Sequence, residues 1–251
     1  MRFEGKRVLI TGASRGIGLA TARAFLAEGA RVAVNGRSAG SVETAMATLG
    51  GSANLIAAPG DIALVPGCET VVATALDGLG GLDILVNNAG VFFRGCIEET
   101  DEAEWDRVQN ANVKGVFFCS RAALPALRQS RGNIVNVASE SGIRGYAGTS
   151  AYCTSKGAVV NMTRSMAMEL APDIRVNSVC PGVIDTDMAR AGFAIDGDSE
   201  AGMRQQAAQY PVGRIGTAAE VAAAILFLAS KDAGFINGVA LPIEGGATVG
   251  G

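Results

Sequence analysis

Histidine is missing from this chain of 251 residues. That absence excludes Ser-His-Asp and Cys-His catalysis and the usual zinc sites, so no metal site is expected. It also leaves any proton transfer near neutral pH to another perturbed group. Cysteine is scarce, and Cys68, Cys96, Cys119, Cys153 and Cys180 form an odd set without a CxxC pair. Reduced, buried thiols are expected rather than a disulfide framework. No apolar run approaches a membrane span. The opening "MRFEGKRVLITG" has neither the apolar core nor the cleavage site of a secretory leader, so a cytoplasmic protein is expected. The 21 basic residues are scattered without a stripe or run, which argues against a nucleic-acid footprint.

What the chain does have is regular alternation. "KRVLITGAS" reads as a buried strand, and "GIGLATARAFLAEGA" as a helix stopped by Gly29. Further strand-like runs are "RVAVNGR", "ANLIAAPGD", "LDILVNNAG", "GNIVNVAS", "IRVNSVCPG" and "GVALPIEGG". Helical stretches lie between them. One is expected to run unbroken over residues 101–129 with a bend at Pro125, and another over 150–171. Residues 185–210 have weak periodicity and read as a mobile loop with short helices, placed to act as a substrate loop. The strands are continuously apolar rather than alternating, which indicates a parallel sheet covered on both faces. The expected fold is α/β: a Rossmann-type doubly wound parallel sheet in three αβα layers, a single domain over 1–251.

"TGASRGIG" joins the first strand to the first helix, with glycines at Gly12, Gly16 and Gly18. Glycine lets a backbone turn tightly and approach a pyrophosphate resting on a helix N-terminus. An ordinary strand–helix turn is the plainer alternative. After the second strand, where NAD sites commonly carry a carboxylate, the chain reads Asn35, Gly36, Arg37, Ser38. Arg37 and Arg15 can instead bind a 2′-phosphate, which favours NADP(H) over NAD(H) unless both are simply solvated. "NNAG" (87–90) ends the fourth strand, and Asp61 ends the third on the same edge. Either could be a plain turn, or for Asp61 an N-cap of a helix starting at Ala63.

"AYCTSK" places Tyr152 and Lys156 one helical turn apart on a shared face. A free tyrosine titrates near ~10, too high for a base at neutral pH. A neighbouring ammonium stabilises phenolate, so this pair can do acid–base work without histidine. Helices also carry such pairs on solvated faces. Ser139 follows the fifth strand, where its hydroxyl can hydrogen-bond a substrate oxygen as charge develops.

Taken together, "TGASRGIG", "NNAG", Asn112 in "ANVKGVF", Ser139, "YCTSK" and "PGVIDT" resemble the classical short-chain dehydrogenase/reductase family over nearly the whole chain. Within the family the pattern is similar to the 3-oxoacyl-[acyl carrier protein] reductase-like members. The resemblance implies that Tyr152 is the general acid in carbonyl reduction and the base in alcohol oxidation. Lys156 would hold the nicotinamide ribose and lower the Tyr152 pKa. Ser139 would orient the carbonyl, and Asn112 would hold a water in a proton relay. Cofactor contacts would come from Gly12, Ser14, Arg15, Gly16, Ile17 and Gly18 in the turn, and from Arg37, Asp61 and Ile62. Asn88, Ala89 and Gly90 would add to them, as would Tyr152 and Lys156. Pro181, Gly182, Val183 and Thr186 would cover the nicotinamide. A homotetramer paired through the helices at 100–128 and 151–170 is also implied. One departure is Glu140, where the family usually has serine or another small residue.

The substrate is expected among residues 91–96, 140–147 and 183–210. Phe92, Phe93, Ile143, Tyr146, Met188 and Phe193 would supply walls, and Arg94 and Arg144 charge. A 3-oxoacyl thioester is one candidate, with Arg128 and Arg131 as a thin docking patch for a carrier protein. A sugar, polyol, steroid or other small ketone or alcohol is the alternative. A non-catalytic NADP-binding sensor is less favoured, because such proteins usually lose the tyrosine or lysine.

Overall fold

The strands in the middle of the sheet are mostly apolar because they are buried on both faces. The computed structural model describes residues 1–249, so the domain expected over 1–251 extends two glycines beyond the described residues. Among these residues the strands are β1 (Arg7–Ile10), β2 (Arg31–Gly36), β3 (Leu55–Pro59), β4 (Ile84–Asn87), β5 (Asn133–Val137), β6 (Arg175–Pro181) and β7 (Ala240–Ile243). They form one parallel sheet in the order β3-β2-β1-β4-β5-β6-β7. Val8 and Ile10 of β1 enter one apolar core and Leu9 the other.

The helices are α1 (Gly16–Ala27), α2 (Ala39–Thr48), α3 (Val65–Leu79), α4 (Glu102–Gln109), α5 (Gly115–Ser130), α6 (Ser150–Leu170), α7 (Asp187–Phe193), α8 (Ser199–Ala207) and α9 (Ala218–Ala229). Phe25 of α1, Val42 of α2 and Ile225 of α9 fill the first core. Val71 of α3, Leu127 of α5 and Met166 of α6 fill the second. This is the expected doubly wound sheet with helical layers on both faces. The chain leaves β1 toward β2 on one side and returns to β4 on the other. The turns after β1 and β4 therefore diverge and open a crevice at the C-terminal edge of the sheet.

Two local expectations are revised. The helix expected over 101–129 is interrupted by a π turn at Asn110–Lys114, not at Pro125. Pro125 and Arg121, the residue whose carbonyl the proline leaves unpaired, are both exposed. Asp61 accepts the Ala63 N–H at 3.0 Å, but α3 begins only at Val65 and Asp61 is not its cap. Residues 185–210 carry short helices as expected, α7 capped by Thr186 and α8 by Asp198. No helix among the described residues is long and apolar enough to cross a membrane.

At the opposite edge of the sheet, Asp83 ties the entry of β1 to that of β4. Its Oδ2 accepts the Arg7 backbone N–H at 3.0 Å and Nε at 2.8 Å, and its Oδ1 lies 3.3 Å from Lys6 Nζ. Burial alone would push this carboxyl up. Hydrogen bonds from the Arg7 side chain and backbone, with the Lys6 charge, outweigh burial and hold it below the usual range. A folded-state pKa below the unfolded one stabilises the fold above the unfolded value, and that stabilisation disappears as pH falls through the folded value. Asp83→Asn is expected to lower the unfolding free energy by about 1–3 kcal/mol at pH 7. In urea titrations this gap should close as the pH drops below about 4; a gap independent of pH would contradict the assignment.

Candidate active site

The turn after β1 is held by three polar side chains rather than by glycine alone. The Thr11 hydroxyl accepts the N–H groups of Asn88 and Ala89 at 3.0 and 3.1 Å. The Asn88 amide donates to the carbonyls of Thr11 and Gly12, both at 2.9 Å. The Asn35 carbonyl oxygen accepts the Gly12 N–H at 3.1 Å, while its amide reaches Ala58 and Gly60. Gly12 and Gly16 have φ of +61° and +55°, a region that favours glycine. A Cβ on Gly12 would fall 2.6 Å from Ala89 Cα. The "NNAG" segment is thus the brace of the glycine turn.

Behind this turn, α1 begins with no side-chain cap and no acid in its first turn. Its free N–H groups face a cleft of about 570 Å³ and offer a seat for an anion. Gly12, Ser14, Arg15, Gly16 and Ile17 line one part of that cleft. Arg37 lines it with Ser38, Ser41 and Thr44, followed by Asp61 and Ile62. Asn88, Ala89 and Gly90 form its middle, and Pro181, Gly182, Val183 and Thr186 its far side. Gly18 does not line the cleft. It packs beneath the turn, where a Cβ would strike the Gly12 carbonyl and lie 2.5 Å from Asn88 Nδ2. The glycine cradle and uncapped helix fit a dinucleotide.

At the other end, α6 places Tyr152 and Lys156 on the cleft wall and the loop after β5 adds Ser139. Lys156 is buried, donates to the Val137 carbonyl at 2.9 Å, and lies 5.8 Å from the Tyr152 ring centroid. Ser139 accepts the Ser141 N–H at 3.1 Å, and its hydroxyl also makes a long, 3.4 Å contact to the Pro181 carbonyl. Burial pushes the Tyr152 phenol up to about 12, more than its hydrogen bond with Ser139 lowers it. Burial also brings Lys156 down to about 8. In the protein's own environment burial therefore dominates both groups, and Tyr152 holds its proton rather than starting as the phenolate that an adjacent ammonium would favour.

Asn112 is not on the cleft surface. It sits fully buried in the π turn, where its Oδ1 accepts the Val91 N–H at 2.8 Å. Its amide donates to the Val91 carbonyl and the Ser155 hydroxyl, both at 3.0 Å. The side chain clamps the strand-end segment beside Gly90 through those three bonds.

A family profile described as enoyl-(acyl carrier protein) reductase matches residues 12–248. The chain is 41% identical over 249 residues to meso-2,3-butanediol dehydrogenase of Serratia marcescens, covering 99% of this chain and 96% of that one. It is 38% identical over 248 residues to a 3-oxoacyl-[acyl-carrier-protein] reductase of Vibrio cholerae, covering 98% of each. This chain belongs to the classical short-chain dehydrogenase/reductase family. The crystal structure of levodione reductase superposes with a TM-score of 0.95 at 32% identity, over 100% of both chains. As a short-chain dehydrogenase/reductase, the protein is an oxidoreductase of alcohols and carbonyls that binds a nicotinamide cofactor.

The substrate end of this dehydrogenase/reductase is narrower than the sequence suggests. Phe92 packs edge-on against Tyr152 at 5.0 Å and lies 5.4 Å from Phe193. Met188 joins them on the cleft wall. Phe93, Ile143, Tyr146, Arg94 and Arg144 do not line the cleft. Ile143 and Arg94 are exposed, and Arg144 donates to the Ala247 carbonyl at 2.5 Å. Arg128 and Arg131 end α5, just before β5 begins, and so lie at the opposite edge of the sheet. They cannot form a docking patch beside the cleft.

Thr11, Asn35 and Tyr210 were not singled out by sequence reasoning. Thr11 and Asn35 carry one shared signal, a polar residue ending an apolar strand. Tyr210 carries none, because its partner Glu140 is distant in sequence. Thr11→Val keeps the shape but strands two N–H groups. It is expected to weaken nicotinamide-cofactor binding about tenfold. Calorimetric titration checks this, and an unchanged affinity would show that the brace is dispensable.

Proposed function

We propose that the protein interconverts a ketone and a secondary alcohol with NADP(H), using Tyr152 as the group that moves the proton. The observation that carries this reading is the meeting of Ser139, Tyr152 and Lys156 at one end of a cleft whose other end is the glycine cradle. Nicotinamide, when bound, supplies or accepts the hydride. Tyr152 Oη, protonated at neutral pH, hands its proton to the carbonyl oxygen in reduction. Ser139 Oγ, free to turn from its long contact with Pro181, donates to the same oxygen. Lys156 supplies a buried positive charge beneath them and holds the ribose. Asn112 acts behind the site by fixing Val91. In alcohol oxidation the proton moves the other way, and the phenol's raised pKa makes that direction favour alkaline solution.

NADP(H) is supported by the adenosine end of the cleft. Arg15, Arg37 and Ser38 offer donors there and none of the three is acidic. A dinucleotide filling the cleft leaves the substrate only the space beside Phe92, Met188 and Phe193. That favours a small ketone or its alcohol, in line with the butanediol named for the Serratia relative. A 3-oxoacyl thioester is the second reading, favoured by the Vibrio relative. The homotetramer belongs to the same proposal, with Trp105, Phe117 and Met168 exposed on α4, α5 and α6.

Purified protein is expected to reduce 2,3-butanedione with NADPH, and Tyr152→Phe to lower kcat by about 10²–10⁴-fold while binding NADPH normally. Arg37→Asp should weaken NADPH by about 10–100-fold and spare NADH. Full turnover in the Tyr152 variant, or NADH preference in the wild type, would sink the corresponding claim.

The buried ammonium gives a separate check. Lys156 loses its proton as pH rises through about 8, so kcat/KM for NADPH should decline above that pH. Lys156→Arg, which stays charged, should move the decline to higher pH. A profile flat to pH 10 in the wild type would remove Lys156 from cofactor holding.

A further inference from the structure

Glu140 follows Ser139 directly, is only 6% exposed, and lines the same cleft. Its Oε1 accepts the Tyr210 hydroxyl at 2.8 Å. The Tyr210 oxygen accepts the Val183 N–H at 2.7 Å. Three segments distant in the chain meet through that one phenol. They are the turn Glu140–Gly142, which Ser139 opens, the strand end at Pro181–Val183, and the residue three positions beyond α8. Gly182 lies within the contact: a Cβ there would be 3.0 Å from the Tyr210 oxygen and 3.1 Å from Glu140 Oε2. Oε2 itself is buried without a partner, as is the Tyr146 hydroxyl.

A buried carboxylate is costly, and an apolar residue would fill this space more cheaply. Its use is in what it fixes. We propose that Glu140 and Tyr210 form a latch that positions Ser139 and Val183 at the reacting end of the cleft, a role resting on the carbonyl–alcohol reading above. Because Tyr210 terminates the α7–α8 segment, seating that segment and aligning Val183 become one event. Glu140 and Tyr210 are positioning residues in this scheme; neither need touch the reacting atoms.

The groups facing Glu140 set its titration. Burial pushes its carboxyl up, Tyr210 and Tyr146 pull it down, Glu244 raises it and Arg144 lowers it; the net direction is upward. The latch in its charged form is therefore lost at a higher pH than an ordinary carboxylate would be.

The test uses the full chain with Tyr210→Phe and Glu140→Gln, NADPH, and 2,3-butanedione as the probe carbonyl. Wild-type kcat should fall about tenfold on an acid limb lying above the ordinary carboxylate range. Tyr210→Phe removes the hydroxyl that makes the latch, so it should lack this limb and run at the lowered level at every pH. Glu140→Gln, fixed in a neutral form, should lack the limb and run at the lowered level throughout. Hydrogen exchange without cofactor is the second readout. Peptides spanning 181–186 should exchange about tenfold faster in Tyr210→Phe, with protection of β4 and β5 unchanged. A limb that stays in place in both variants, or unchanged exchange at 181–186, would overturn the latch. If the wild type reduces no carbonyl, the functional reading fails, and the exchange result alone decides the latch.

Discussion

The site depends on one backbone contact, that of the turn after β1 with the turn after β4. Gly12 lies so near Ala89 that no side chain fits between them, and Thr11 and Asn88 lock the two turns with reciprocal hydrogen bonds. These are the two strands where the sheet order reverses, so the contact sits at the base of the crevice. If the turns separated, the N-terminus of α1 would no longer face Gly90 and the wall beyond it. The glycine turn and the end of the cleft lined by Ser139, Tyr152 and Lys156 share a frame because they share this junction.

A chain without histidine has to obtain its proton chemistry from groups that titrate far from neutrality. Burial moves the two candidates toward opposite uses. It raises the Tyr152 phenol and lowers the Lys156 ammonium, since the charged form is the anion in one and the cation in the other. The result is a phenol that keeps its proton and an amine brought near physiological pH. In the proposed reaction the same desolvation suits Tyr152 to donate to an incoming carbonyl, and it leaves Lys156 the more responsive of the pair. Spacing of four along a helix explains why they share a wall, but not the sign of either shift.

The fold was legible because the strands are buried on both faces, so the signal is local and repeated: an apolar run, a turn, a helix. The glycine turn beside the cleft was legible for a related reason. Glycine at positive φ and a polar turn ending a strand each leave a mark in the sequence. The break at Asn110–Lys114 left none, since a π turn needs no proline or glycine. It is held by Asn112 reaching Val91, a bond between residues 21 apart. Tyr146 and Ile143 looked like pocket walls because they follow Ser139 closely. The short turn at Glu140–Gly142 carries the chain away from the cleft, and Tyr146 ends beside Glu140 instead. Arg128 and Arg131 illustrate a limit of another kind: only the sheet shows which edge a helix end occupies.

Glu140 is where local reading and three-dimensional arrangement part most clearly. In the sequence it is a charge where the family has a small residue, and so looks like a substrate contact. In the structure one oxygen is committed to Tyr210, and the phenol beyond it to Val183. A serine could not span that gap, and a lysine could not accept the hydroxyl. The replacement therefore makes sense only together with Tyr210, each residue giving the other a partner in a buried place where either alone would be a liability. Such a pair constrains the end of the α7–α8 segment, whose Met188 and Phe193 line the cleft. The narrow aromatic wall of Phe92 and Phe193 then has a fixed backbone behind it, and the space left for substrate is set by that backbone as much as by the rings themselves.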